Sequence, residues 1–168
     1  MADRCILSDK VMLKVPLSPE KAFAKAQNFC VYQERSQQEI RDKIYSWGLH
    51  LKEVENIISR LIDEGFLKEE RFAVAFAGGK FRIKKWGKVK IKQALKEKRI
   101  TSPLIKKALS EINDVDYRKM LVKVLAGKEK TVKEKDPFKR KYKLANYAIS
   151  RGYESELVWQ ILGEIESE

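Results

Sequence analysis

His50 is the single histidine of the chain, and Cys5 and Cys30 are its only cysteines. Nucleophilic catalysis needs a base held beside its nucleophile, and no local motif sets His50 beside a thiol or an activated serine. It lies at the turn between two helical runs, where a helix cap or a surface residue is the simple reading. Zinc asks for several Cys or His ligands at paired spacings, which these three residues do not supply. The carboxylates come in close pairs, Glu53/Glu55, Asp63/Glu64 and Glu69/Glu70. Such near neighbours on a helix point in different directions, so they read as solvated faces or caps rather than metal or acid–base sites. Gly78-Gly79 lacks the GKS or GxGxxG frame of a phosphate loop. Elimination leaves a binding protein rather than an enzyme, with no cofactor and no metal called for.

What the chain does offer is positive charge. The stretch WGKVKIKQALKEKRI, Trp86 to Ile100, holds five lysines, one arginine and a single glutamate. If 87–98 is helical, Lys88, Lys92, Lys96 and Arg99 step along one stripe, with Lys85 on the same line a turn earlier. Lys90 adds to the charge, while Ile91, Ala94 and Leu95 face the core. Like charges at these spacings repel by about a few tenths of a kcal/mol per pair, which a negatively charged partner would relieve. Just upstream, Lys80, Arg82, Lys84 and Lys85 are interleaved with Phe81 and Trp86. Aromatics among basic residues can stack on nucleobases; they can also close a junction between two helices, the reading favoured for Trp86.

The net charge of +12 is concentrated in blocks. Residues 1–79 carry twelve basic and twelve acidic side chains, 80–100 carry ten and one, and 118–143 carry eleven and three. A basic block is an electrostatic footprint for nucleic acid or an acidic protein surface. The plainer alternative is that the lysines only keep helices soluble. With no apolar run near the ~20 residues of a membrane span and no signal-peptide pattern, a cytoplasmic setting is expected.

These residues must be positioned by helices, because Gly and Pro number only eight and four, too few turn formers for an all-β fold. A pattern recurs three times. IRDKIYSWGLHLKEVENIISRL from Ile40 aligns with IKQALKEKRITSPLIKKALSEI from Ile91 and LANYAISRGYESELVWQILGEI from Leu144. The apolar positions fall in register, as with Ile40/Ile91/Leu144 and Val54/Ile105/Val158. Each copy reads as helix, tight turn, helix. Ser36 and Glu39 form a capping box, and Asp136-Pro137 forms a cap followed by proline at the first helical position. Gly48 and Gly152 end helices in the left-handed conformation, whereas Arg99 occupies that place in the middle copy. A further helix precedes each pair, opened by Ser18-Pro19, by Glu69 or Glu70, and by Asp114 or Asp116. The expectation is an all-α chain of three tandem three-helix repeats, 16–66, 67–112 and 113–168, forming an elongated curved body. Residues 1–15 are expected to be an N-terminal arm, extended or disordered.

GFLKEERFAVAF (Gly65–Phe76) followed by KFRIKKWGKVKIKQALKEKRI (Lys80–Ile100) resembles the central signature of RecX, the bacterial regulator of RecA recombinase. RSQQEIRDKIYSWG (Arg35–Gly48) matches that family's first-repeat pattern and brings Arg35, Arg41 and Lys43 among the candidate contacts. The sequence departs from the family in having Lys68 where an acidic residue is usual, and Arg99 where the glycine of KGI is usual. The resemblance implies tandem three-helix repeats, binding along the groove of the RecA–DNA filament, and inhibition or tuning of RecA's recombinase, ATPase and coprotease activities. It implies no catalytic residue. A monomer is expected, with DNA phosphates as a further contact. The alternative is a helical module that binds nucleic acid directly, without RecA.

Overall fold

The computed structural model describes residues 17–166; the N-terminal arm expected over 1–15 lies outside the described residues. Among these residues there are nine helices and no strand. The first triplet is α1 (Pro19–Tyr32), α2 (Gln37–Tyr45) and α3 (Leu51–Asp63). The second is α4 (Glu69–Arg82), α5 (Lys88–Glu97) and α6 (Ser102–Ser110), and the third is α7 (Asp114–Glu129), α8 (Pro137–Ser150) and α9 (Ser155–Glu166).

The caps explain where helices start. Ser36 Oγ accepts the Glu39 N–H while the Glu39 carboxylate accepts the Ser36 N–H, the reciprocal pairing the sequence predicts for α2. Asp136 accepts the Lys139 N–H at the head of α8. α4 and α7 open at Glu69 and Asp114, among the residues the sequence offers. Asn113 caps α7, its Oδ1 accepting from Val115 and Asp116, and Lys68 holds the capping position of α4.

The turns explain where helices stop. Gly48 (φ 87°) and Gly152 (φ 92°) take the left-handed conformation after α2 and α8. Arg99 (φ 60°) takes it after α5, although it carries a Cβ. The repeat geometry demands that turn regardless of residue type, and a non-glycine residue held there costs on the order of 1 kcal/mol. The reward lies next door, where Ile100 is buried with Ile91, Leu95 and Ile105.

The periodic apolar positions make the core. Ile40, Ile91, Leu144, Val54, Ile105 and Val158 are all buried. They do not form three equal cores, however. The first triplet keeps its own, around Ala22, Ile40, Val54 and Leu61. The second and third share one continuous core running from Phe72 to Leu162. Hydrogen bonds and ion pairs between triplets join first to second and second to third, the linear order of an elongated body.

Candidate partner-binding surface

The cations read from the sequence as one stripe resolve into several groups, each set by the local backbone. α5 begins at Lys88, after Gly87 in extended conformation. Lys85 therefore lies outside the helix, in a left-handed turn (φ 54°), and does not extend the line of Lys88, Lys92 and Lys96. Arg99 likewise sits past the helix end. Lys88 is turned inward: its Nζ meets Asp114 at 2.7 Å and lies 4.8 Å from the centre of the Tyr117 ring. That ammonium holds the Asp114 carboxyl below the usual carboxylate range. What stays outward on α5 is the pair Lys92 and Lys96, one turn apart and exposed.

Other candidates serve the fold. Arg41 makes a forked pair with Glu55, 2.7 and 3.0 Å, tying α2 to α3 and depressing the Glu55 carboxyl. The Arg35 guanidinium covers the Phe29 ring at 3.9 Å, with Lys43 Nζ at 5.8 Å from the same ring. Phe81 is buried, 5.9 Å from Tyr117 between ring centres, and so is withdrawn from any nucleobase. Trp86 packs half-buried against the shared core, its ring flanked by Lys80 and Lys90 at 5.0 and 4.9 Å. Its indole closes the junction and orients two ammonium groups at once.

The run Lys80–Lys85 splays over three grooves. Lys80 and Lys84 line one of about 420 Å³ against the first triplet, shared with Glu34, Glu39 and Lys98. Arg82 lines one of about 510 Å³ facing α7, shared with Glu111 and Asp116. Lys85 enters a third, of about 270 Å³, together with Lys123, Lys128 and Arg151. The last three belong to the third triplet and were not singled out by spacing. The signal that reached them was the basic block 118–143, which located charge without assigning contacts.

Beneath this surface lies an aromatic and backbone lock. Tyr117 accepts the Lys88 N–H at 2.8 Å and donates to Glu154 at 2.6 Å. Tyr117 and Tyr153 are 5.2 Å apart between ring centres. Burial pushes the Tyr153 phenol up to about 12, and raises that of Tyr117 further. Gly87 and Val89 donate backbone bonds to the carbonyls of Arg151 and Gly152, and Arg151 in turn donates to the Lys84 carbonyl. Cys30 is buried, with its thiol raised by burial; His50 stands at the N-cap position of α3, its backbone N–H donating to Glu53; and among the described residues no group of His, Cys, Asp and Glu could hold a metal ion. No helix among them is long and apolar enough to cross a membrane.

Compared with known proteins, residues 22–61, 69–109 and 116–162 match the first, second and third three-helix domains of RecX in chain order. The regulatory protein RecX of Clostridium acetobutylicum is 32% identical over 151 residues, covering 88% of this chain and 70% of that protein. RecX of Thermotoga maritima is 27% identical, covering 89% of this chain and 88% of its own. The crystal structure of RecX from Lactobacillus salivarius superimposes with a TM-score of 0.80 at 21% identity, over 89% of this chain and 97% of that one, a likeness of fold.

Proposed function

The chain belongs to the RecX family, and from that premise we propose that it regulates RecA recombinase, mainly as an inhibitor, by lying as a monomer in the groove of the RecA–DNA filament. It works in the cytoplasm, where that filament assembles. The observation that carries the reading is the ordered match of all three family domains along one chain. The exposed pair Lys92 and Lys96, with Arg99 beyond them, forms the part of the middle triplet free to meet an acidic partner surface. Lys88 and Arg41 contribute less to it, because Asp114 and Glu55 already pair with them.

RecA-dependent ATP hydrolysis on single-stranded DNA, titrated with purified protein, tests the proposal. Hydrolysis should fall as protein is added, and no change at saturation overturns the reading. Lys92→Glu with Lys96→Glu should weaken the effect by about tenfold, equivalent to about 1.4 kcal/mol of binding, without altering the melting temperature.

Direct nucleic-acid binding is the second reading. It is favoured by one observation: two grooves beside α7 and α8, one lined by Lys128, Lys133 and Lys143 and the other by Lys85, Lys123, Lys128 and Arg151, have no carboxylate in their walls.

A further inference from the structure

We propose that residues 11–16 of the same chain lie in extended form across the free end of the first triplet, over Trp47 and Leu51, in the place that a preceding triplet takes at the inner junctions. The inference concerns how the stack of triplets is closed at its end and stands apart from the RecA reading.

With the copies in register on Ile40, Ile91 and Leu144, Trp47, Lys98 and Arg151 are counterparts, and so are Leu51, Ser102 and Ser155. At the inner junctions the first of these positions reaches back to the triplet before it. Lys98 pairs with Glu39, and Arg151 donates to the Lys84 carbonyl. The Arg151 carbonyl also accepts the Gly87 N–H at 2.9 Å. No triplet precedes the first among the described residues, yet the same bond is present there: the Trp47 carbonyl accepts the Leu17 N–H at 3.1 Å. Leu17 thus stands where Gly87 stands. The chain leading into it arrives at the face that Lys84 and Lys85 meet on the third triplet through Arg151 and Tyr153. That face has changed character at the free end. Where the inner copies carry a cation and a serine, the first carries an indole and Leu51, which is 64% exposed. An apolar chain laid over both would remove that surface from water.

The residues before Leu17 have the pattern such a chain needs. Val11, Leu13, Val15 and Leu17 alternate with Lys10, Met12, Lys14 and Pro16. Extended backbone therefore puts the branched apolar side chains on one face and both lysines on the other. Leu17 packs against the first core and fixes the phase, so that odd-numbered positions turn inward. Pro16 biases Val15 toward extended backbone. Six extended residues reach about 20 Å, enough to cross the ends of two helices about 10 Å wide. The tether decides the occupant. A segment joined directly to the face meets it at an effective concentration on the order of millimolar, an advantage that a second copy does not share.

The test uses the full chain with RecA and DNA absent. Nuclear Overhauser contacts should join the methyl groups of Val11 and Leu13 to the Trp47 indole and the Leu51 methyls, and should persist on dilution. Val11→Asp with Leu13→Asp should abolish these contacts. The same variant should speed amide exchange by about tenfold at Gly48 and Val54, whose bonds to the Tyr45 and His50 carbonyls hold the turn, and leave α9 unchanged. Lys10→Asp with Lys14→Asp, which alters the outward positions, should change neither contacts nor exchange. The inference is overturned if the wild-type chain shows no such contacts, if the odd-position variant leaves exchange as it was, or if the even-position variant speeds it equally. Contacts that fade on dilution, or that run between chains in a mixed-label sample, overturn it as well, because a second copy is then the occupant.

Discussion

Between the first and second triplets the contacts are charged and partly exposed. Lys98 Nζ reaches Glu39 at 2.5 Å, Arg71 reaches Glu34 at 2.9 Å, and the groove beside them carries both signs of charge. Between the second and third triplets the contacts are aromatic and backbone. Phe81, Tyr117 and Tyr153 stack in sequence, Gly87 and Gly152 meet main chain to main chain, and one apolar core crosses the boundary. Exposed ion pairs contribute typically less than about 1 kcal/mol and weaken with salt, whereas a shared core cannot open without exposing apolar area. The chain thus pairs a two-triplet unit built on one shared core with a first triplet that keeps its own core and is tied to it by ion pairs.

The sharpest way to break this contrast is Gly87→Ala. A Cβ there would overlap the Gly152 carbonyl, and neither main chain can move aside. The expected cost is about 3 kcal/mol. It should be read as faster amide exchange in α5 and α8 with α3 unchanged; equal acceleration of α3 would show that the first triplet is not separate.

Alkali tests the same lock. The Tyr153 phenol is raised from 10.0 to about 12 in the folded chain, so folding favours the protonated form. Its contribution is full below pH 10 and fades as pH rises through about 12, amounting to about 2 kcal/mol over that window. Tyr153→Phe should melt with a shallower loss between these pH values than the wild type. Parallel curves would remove the phenol from the account.

Lys98→Met probes the polar junction and should have the smallest effect. Global stability should fall by no more than about 0.5 kcal/mol, while the salt dependence of a distance measured between labels on the first and third triplets should diminish. A large stability loss would mean that this junction holds as firmly as the aromatic one.

The sequence alone determined the helices, their order and their faces, because periodicity, caps and turns are local. Ser36 and Glu39 satisfy each other three residues apart, and Ile40 and Ile44 are buried as their spacing requires. The middle turn takes the left-handed conformation at Arg99 without a glycine, between the buried Leu95 and Ile100. The tertiary structure decided which lysines are available. Asp114 is 26 residues from Lys88 and Glu39 is 59 from Lys98, so no helical projection could tell that these ammonium groups face inward. It also brought Lys85 together with Lys123, Lys128 and Arg151. Charge can be counted along a chain, but the field a partner meets depends on which charges the fold pairs internally and which it leaves facing water.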